Sequence, residues 1–402
     1  MSVSGPDRPG VAAAVLHALA RPGVEVVDIE QVVVRGRLTL AVLVTSGAPG
    51  AGDDGAVVAA AHRAGAELGM TVSCVAGHGD NAPRAAGRLH VTLLGAPLLP
   101  AAVAAIAQRL AERGANIDRI RRLARTPVTA VEFDVSGDDV ADLRGVLAVQ
   151  ASLHGVDVAV SPAGLARRGR RLVVMDVDST LIQDEVIELL AAHAGRLPEV
   201  AAVTERAMRG ELDFAQSLHE RVACLAGLPE SVLGEVRDAV RLTPGARTLC
   251  RTLLRLGYTL AVVSGGFLEV VAPLAAELGI QHAHANRLEV RDGVLTGRVL
   301  GEVVDRAAKA QALRRFAAAE GLPLSRTVAV GDGANDLDML AVAGLGVAFN
   351  AKPVVRAQAD ASVTVPYLDS VLYLLGIPRA DVEDADALDA APPAPGVPAA
   401  VG

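Results

Sequence analysis

Residues 172–180 read LVVMDVDST, an apolar run followed at once by two carboxylates, a serine and a threonine. A short apolar run of this kind is typical of a strand buried in a parallel sheet. An open α/β sheet places its ligands at the carboxyl ends of such strands. There, Asp176 could attack a phosphorus atom while Asp178 moves the proton to and from the leaving oxygen. The alternative is that both residues only cap a turn or the next helix, and the motif alone does not decide.

Two more strand-like runs end in turns of the same character. Residues 259–267 read TLAVVSGGF, and residues 327–336 read TVAVGDGAND. With helical stretches between them, the runs predict an α/β fold with a doubly wound parallel sheet and a site across the strand tips. Ser264 and Gly265 could bind a phosphate through a hydroxyl and closely approaching backbone amides. Asp332 adds a carboxylate, and crowded oxygen ligands near a phosphate indicate Mg²⁺.

The use of lysine supplies a separate indication. Of 38 lysines and arginines, only Lys309 and Lys352 are lysines. Since nearly all other basic residues of this chain are arginines, Lys309 indicates a position that needs a compact ammonium group, where a planar guanidinium does not fit. Next to a phosphate, that charge would offset the charges of the phosphate and the aspartates. The alternative is an ordinary surface lysine.

With these motifs, the segment from Asp176 to about Asp369 resembles the haloacid dehalogenase-like (HAD) phosphatases. Within that family it is similar to the branch that hydrolyses L-phosphoserine in the last step of serine biosynthesis. The matching blocks are DVDSTLIQDE (176–185), AMRGELDF (207–214), VSGGF (263–267), ANRL (285–288) and GDGAND (331–336). The resemblance implies that Asp176 is the nucleophile that becomes an aspartyl-phosphate, and that Asp178 is the general acid and base.

The same resemblance implies the rest of the phosphate and metal site. Ser264, with Gly265 beside it, and Lys309 would hold the phosphoryl oxygens. The implied Mg²⁺ ligands are the side chains of Asp176 and Asp332 and the backbone carbonyl of Asp178. The implied neighbours that complete these surroundings are Thr180, Asn335 and Asp336.

Residues 184–243 form an insert between the first two strands and are rich in helix formers, which predicts a helical cap over the site. L-phosphoserine carries an ammonium and a carboxylate as well as its phosphate. Glu185 could bind the ammonium, and Arg221 could bind the carboxylate with its fork. Met208 and Phe214 could close the pocket against water. The resemblance implies the same four roles. Structurally, Glu185 could equally be a first-turn helix acid and Arg221 a solvated residue.

The first part of the chain has a different pattern, a β-α-β-β-α-β order that occurs twice. It predicts two ferredoxin-like domains, over residues 1–78 and 86–163. Residues 3–10, VSGPDRPG, resemble the ligand-binding turn of ACT domains, which are small amino-acid-sensing modules. This implies Asp7 and Gly10 as contacts to a free amino acid such as L-serine, and pairing of such units into a homodimer. The second unit lacks the Asp-x-Pro-Gly pattern, and a dimerisation scaffold without a ligand is the alternative.

Bulk composition narrows the class of protein. A net charge of −8 argues against a nucleic-acid partner, and no apolar run has membrane-spanning length. Three widely spaced cysteines form no metal-binding pattern and indicate reduced thiols, as expected in the cytoplasm. The phosphatase core is expected over residues 168–378. Residues 379–402 turn acidic and then rich in Ala and Pro, which predicts disorder.

Other functions remain open at this point. The core could hydrolyse a different small phosphomonoester, or transfer the phosphoryl group to an acceptor other than water. Alternatively, the chain could be an amino-acid sensor whose phosphatase core is vestigial. The intact set of aspartates, serine and lysine argues against a vestigial core.

Overall fold

A computed structural model describes residues 1–45, 54–77, 87–137, 140–164, 167, 169–209 and 211–390. The chain divides into two compact units, Met1–Pro83 and Arg84–Gly402. Within the described ranges, no helix is both long enough and apolar enough to cross a membrane.

The first unit has the predicted ferredoxin-like order. Its elements are β1 (Ser2–Pro6), α1 (Val11–Leu19), β2 (Glu25–Val34), β3 (Arg37–Thr45), α2 (Asp54–Leu68) and β4 (Thr71–Ser73). The strands pair antiparallel in the order β2-β3-β1-β4. Alternate residues of β3 are buried, as the pleat of a one-sided sheet requires. Leu38 and Leu40 of β3 pack with Val3, Val11 and Val15 in the core of this unit.

The second unit begins with the same arrangement. Its elements are β5 (Leu89–Gly95), α3 (Pro100–Glu112), β6 (Asn116–Ala124), β7 (Thr129–Ser136), α4 (Val140–Leu153) and β8 (Asp157–Pro162). The strand order β6-β7-β5-β8 repeats that of the first unit. Apolar residues of β5 and β7 pack against α3 and α4. Because both ferredoxin-like domains bury one face of a sheet against two helices, the same hydrophobic pattern occurs twice in the sequence.

A larger α/β domain follows. It contains β9 (Leu172–Met175), α5 (Val186–His193), α6 (Leu197–Met208), α7 (Phe214–Ala223), α8 (Val232–Ala239), α9 (Ala246–Arg255), β10 (Thr259–Phe267), α10 (Leu268–Glu277), β11 (His282–Arg291), β12 (Val294–Leu300), α11 (Arg306–Ala319), β13 (Thr327–Gly331), α12 (Leu337–Val342), β14 (Leu345–Phe349), α13 (Pro353–Arg356), β15 (Ala361–Val363), α14 (Val371–Leu374) and α15 (Arg379–Ala390). The sheet order is β12-β11-β10-β9-β13-β14-β15, with β11 and β12 antiparallel and the other neighbours parallel. The predicted doubly wound sheet is confirmed.

The position of β9 explains its apolar sequence. Strands β10 and β13 flank it, and all four of its residues are fully buried. The three strands that the sequence singles out are therefore neighbours at the centre of the sheet, and their carboxyl ends meet at one edge. Helices α5 to α8 follow β9 and occupy the insert predicted as a cap. Asp213 and Gln216 form a capping box at the start of α7.

Hydrogen bonds link the second ferredoxin-like domain to the edge of the larger sheet. The buried carboxylate of Asp157, at the start of β8, accepts from the Ser362 hydroxyl and the Thr364 backbone N–H, each at 2.7 Å. Arg144 on α4 forms an ion pair with Asp360 at 2.6 Å. These contacts explain why the two domains form one compact unit.

The prediction of disorder after residue 378 is wrong for residues 379–390, which form α15. Arg251 and Arg255 on α9 bind Asp386 at 2.5 and 2.6 Å, and Arg255 also binds Asp389. Acidic side chains that read as a solvated tail are thus paired with arginines far away in sequence. The rest of the predicted tail, residues 391–402, lies outside the described residues.

Candidate active site

The chain turns sharply after β9 and places two carboxylates at the strand tip, of which Asp176 is buried and Asp178 half-buried. Ser179 has a φ of 55°, the left-handed region that is uncommon for a residue other than glycine. Asp178 accepts hydrogen bonds from the Ser264 hydroxyl at 2.9 Å and from the backbone N–H of Val186 at 2.8 Å. Since Val186 is the first residue of α5, Asp178 is held by the sheet and the cap together.

Lys309 lies at the centre of the site and is fully buried. Its Nζ is 2.7 Å from Asp176 Oδ2 and 2.7 Å from Asp336 Oδ1. Burial alone would lower the pKa of this lysine, but the charges of the two carboxylates outweigh it and raise the pKa above its ordinary value. Lys309 is therefore a permanent cation beside the predicted nucleophile.

Three carboxylates crowd this end of the sheet. Oxygen atoms of Asp176, Asp332 and Asp336 lie within 4.8 Å of one another. Burial and the charge of Asp336 raise the pKa of Asp176 well above its usual range, and the same two causes raise that of Asp332 to about 6. The buried hydroxyl of Thr180 donates to Asp332 at 3.2 Å. Desolvated, mutually repelling oxygen ligands fit a hard divalent cation, which would relieve the repulsion.

Two glycines, Gly265 and Gly266, form a turn within the carboxyl end of β10, where the strand pairing is irregular. Ser264 Oγ accepts from the Gly266 backbone N–H at 2.7 Å while it donates to Asp178. A Cβ atom on Gly266 would lie 2.8 Å from Asp178 Oδ2, and one on Gly265 would lie 3.2 Å from the ring of Phe214. The glycines thus leave room for the Asp178 carboxylate on one side and for the cap on the other.

Asn335 and Asp336 belong to the turn after β13. Residues Ala334–Asp336 form one turn of helix there, and Asp336 Oδ2 accepts from the Gly333 backbone N–H at 3.0 Å. With its other oxygen bonded to Lys309, Asp336 orients the lysine. This pairing could not be read from the sequence, because the two residues are 27 positions apart.

The cap contributes charged groups to the same cleft. Glu185 is exposed as a residue, but its carboxyl group faces the site: it accepts from the Ser179 hydroxyl at 2.9 Å, and the charges of Asp178 and Asp332 act on it. Desolvation of that carboxyl group, followed by the charge of Asp178, raises its pKa to about 7. Burial lowers the pKa of Arg221, whereas the charges of Glu185 and Asp178 oppose that shift. The charges of Glu185 and Asp178 thus act on Arg221, whose guanidinium donates a hydrogen bond to the Ser217 carbonyl of its own helix at 3.3 Å.

The remaining predicted contacts have different outcomes. Phe214 lies against the glycine turn, as its predicted role in closing the pocket requires. Met208 ends α6, and its side chain lies outside the described residues. Asp7 and Gly10 are exposed on the turn between β1 and α1. The sequence did not predict the hydrogen bond from the Ser179 hydroxyl to Glu185, although Ser179 belongs to the DVDST motif (176–180) that follows β9.

Family models match three parts of the chain: a haloacid dehalogenase-like hydrolase over residues 173–341, and ACT domains over residues 1–75 and 89–161. A phosphoserine phosphatase of Streptomyces coelicolor is 62% identical over 96% of this chain and 94% of the relative. One from Mycobacterium tuberculosis is 51% identical over 97% of this chain and 95% of the relative. The crystal structure of a probable phosphoserine phosphatase from Vibrio cholerae aligns with a TM-score of 0.58 at 36% identity, covering 74% of this chain and 88% of that one. The chain, with its two ACT domains, therefore belongs to the phosphoserine phosphatase family of the haloacid dehalogenase-like hydrolases.

Proposed function

We propose that the chain hydrolyses L-phosphoserine to L-serine and phosphate, with Asp176 as the nucleophile. The observation that carries the proposal is the contact of Asp176 with the buried ammonium of Lys309, at the tip of β9 and beneath a cap that presents Glu185 and Arg221. A carboxylate, a fixed cation and an acid/base group at one strand tip are the parts that phosphoryl transfer through an acyl-phosphate requires.

In the first step, a carboxylate oxygen of Asp176 attacks phosphorus in line with the serine oxygen. The P–O bond to serine breaks, and Asp178 donates a proton to the departing oxygen. Lys309 and Ser264 stabilise the charge on the equatorial phosphoryl oxygens, with the backbone N–H groups of the glycine turn. Serine leaves, and Asp176 carries the phosphoryl group.

In the second step, Asp178 accepts a proton from water, which attacks the phosphorus of the aspartyl-phosphate. The bond between phosphorus and Asp176 breaks, so phosphate leaves and both aspartates return to their starting states. The hydrogen bonds from Ser264 and Val186 hold the Asp178 carboxyl group in place for both transfers.

The proposed metal is Mg²⁺, held by the side chains of Asp176 and Asp332 and by the backbone carbonyl of Asp178. A bound Mg²⁺ supplies positive charge that offsets the phosphoryl oxygens and the nucleophile. Thr180 orients Asp332 toward this site. Asn335 lies in the neighbouring turn and completes the surroundings of the phosphate.

The proposed substrate follows from the charges of the cap. The carboxylate of Glu185 binds the substrate ammonium, and the guanidinium of Arg221 binds the substrate carboxylate. Phe214 and Met208 close the pocket so that water is excluded during the first transfer. A simple phosphomonoester lacks the two charges that Glu185 and Arg221 recognise.

Glu185 predicts a specific pH dependence. In the protein without a bound cation, its pKa of about 7 means that Glu185 loses its negative charge as the pH falls through neutrality. We therefore expect kcat/KM for L-phosphoserine to decline below about pH 7 in the wild type, and this component of the decline to be absent in Glu185→Gln. Because phosphoserine itself titrates near pH 6, the comparison between the two enzymes is the informative measurement.

The control is Glu199→Gln, which removes the charge of an exposed glutamate of α6 that pairs with Arg196 at 2.9 Å, away from the site. It should keep the wild-type profile. An identical acidic decline in wild type and Glu185→Gln would contradict the role given to Glu185.

We also propose that the chain forms a cytoplasmic homodimer through its ACT domains and binds an amino acid such as L-serine at Asp7 and Gly10. Edge strand β2 is exposed along its whole length, with Val32 and Val34 55% and 60% exposed. An exposed, valine-rich strand at the edge of a sheet is typical of a surface that another chain covers. Gly10 has a φ of 92° and free space around it, so the turn is open to a small ligand.

Sedimentation of the full chain should give the mass of a dimer, and the double variant Val32→Lys with Val34→Lys should give that of a monomer. L-serine should bind the wild type, and Asp7→Ala should weaken that binding. A monomeric wild type would contradict the dimer, and the absence of serine binding would contradict the effector site.

A further inference from the structure

Asn286 contacts Gly265, in the glycine turn next to Ser264. It is almost completely buried, with 1% of its surface exposed. It belongs to β11, which pairs with β10 across an irregularity. Ser264 is the partner of Ala285, and Phe267 is the partner of Asn286. Gly265 and Gly266 are therefore extra residues that bulge out of the strand pairing. A bulge of two glycines has little conformational preference of its own and needs an outside group to hold it.

The side chain of Asn286 supplies that group and reaches a second element as well. Its Nδ2 donates to the backbone carbonyl of Gly265 at 2.8 Å. Its Oδ1 accepts from the backbone N–H of Val304 at 2.8 Å. The oxygen and the nitrogen of the amide are thus both hydrogen-bonded. Because a backbone carbonyl can only accept and a backbone N–H can only donate, the two partners determine the orientation of the amide.

Val304, which donates to the Asn286 oxygen, immediately precedes the N-cap residue of α11, the helix that carries Lys309. Asp305, the next residue, caps α11 by accepting from the backbone N–H of Ala308 at 2.8 Å. The backbone N–H of Lys309 bonds to the Asp305 carbonyl at 3.0 Å. Asn286 therefore joins the turn that carries Ser264 to the first turn of the helix that carries Lys309.

We propose that Asn286 is a positioning residue for phosphoryl transfer, whose amide holds the Ser264 turn and the Lys309 helix at the separation that one phosphoryl group requires. The inference rests on the proposed function, in which Ser264 and Lys309 bind oxygens of the same group. Both contacts strengthen as charge develops on those oxygens, so the spacing between them affects kcat more than KM. Binding of the amino and carboxyl groups of the substrate belongs to the cap and does not depend on Asn286.

The test is Asn286→Asp, which keeps the size of the side chain but replaces the donor with an oxygen. When ionised, the new carboxylate still accepts from Val304 and repels the Gly265 carbonyl. When protonated, it can donate to that carbonyl and restore both bonds. Burial raises the pKa of such a carboxyl group, so protonation should occur within the range where the enzyme is assayed.

We expect kcat of Asn286→Asp at about pH 8 to be about 10²-fold below wild type, with KM little changed. The ratio of variant to wild-type kcat should rise as the pH falls to about 6. The matched control is Gln281→Glu, the same chemical change beside β11. There the side-chain oxygen only accepts from the Leu260 backbone N–H, at 2.8 Å, and that bond survives. The control should keep the wild-type kcat and pH profile.

Wild-type kcat in Asn286→Asp, or a loss that lower pH does not reduce relative to wild type, would overturn the proposal. If Asn286→Asp does not fold, Asn286→Ser carries the test, because it shortens the side chain without adding a charge. A loss confined to kcat supports the proposal, and an unchanged kcat or an equal loss in binding overturns it. Failure of the wild type to hydrolyse L-phosphoserine would instead reject the proposed function.

Discussion

Asp176→Asn is expected to abolish phosphate release from L-phosphoserine, with kcat reduced by about 10⁴-fold or more, the scale of losing a catalytic nucleophile. The amide has the shape of the carboxylate but does not attack phosphorus. The remaining contact between Lys309 and Asp336 at 2.7 Å should preserve the site. Burial and the charge of Asp336 hold the pKa of Asp176 well above normal, so its ionised form is costly in the metal-free protein. The variant should therefore unfold at the same temperature as wild type, or higher, when measured in EDTA.

The matched control for this change is Asp338→Asn. Asp338 lies on α12, close in sequence to the site, but it is partly exposed and bonded to Arg306 at 2.7 Å. This variant should keep wild-type turnover. Substantial turnover in Asp176→Asn would contradict the account, because the attack would then come from another group.

The second large effect is expected at Lys309, where a fully buried ammonium contacts two carboxylates. Lys309→Met leaves both carboxylates buried without their partner. Removing one member of a buried pair typically destabilises a protein by about 3–5 kcal/mol. Activity should fall by at least about 10²-fold, because a fixed charge on the phosphoryl oxygens is lost. Lys309→Arg should also lose activity, because the larger, planar guanidinium group has no room where the lysine side chain is fully buried.

The stability of Lys309→Met should depend on pH with a defined sign. Without the ammonium, the pKa of Asp176 rises further in the folded state, while its unfolded value is unchanged. The folded state then binds more protons than the unfolded state, so the deficit relative to wild type should shrink as the pH falls. Thermal unfolding across pH measures this. Lys352→Met, which removes the other, exposed lysine, should change neither stability nor turnover. A deficit that grows toward low pH would contradict the pairing.

The sheet, and the gathering of carboxylates at its strand tips, could be predicted from the sequence for a physical reason. Strands buried on both faces read as apolar runs, and ligands gather where such strands end, so β9, β10 and β13 identify the site without knowledge of the rest. Lys309 could be found as well, since a lysine in an arginine-rich chain indicates a need for a compact charge.

Contacts between distant segments could not be predicted in this way. The bonds from Lys309 to Asp336 and from Asn286 to Gly265 depend on which elements the fold brings together, and no local pattern encodes them. The helix α15 was missed for the same reason: its acidic residues are stabilised by Arg251 and Arg255, about 130 positions earlier. Local composition alone indicated a solvated tail.

The most direct test of the proposed function is phosphate release by the wild-type chain from L-phosphoserine, phosphothreonine and glycerol phosphate, each with and without Mg²⁺. The account predicts rapid, Mg²⁺-dependent release from L-phosphoserine and little from glycerol phosphate, which offers Glu185 no ammonium and Arg221 no carboxylate. Phosphothreonine carries both groups, so its rate measures the effect of one added methyl group. Preferential release from glycerol phosphate would contradict the roles given to the cap. No release from any of the three would contradict the assignment of the chain as an active phosphatase.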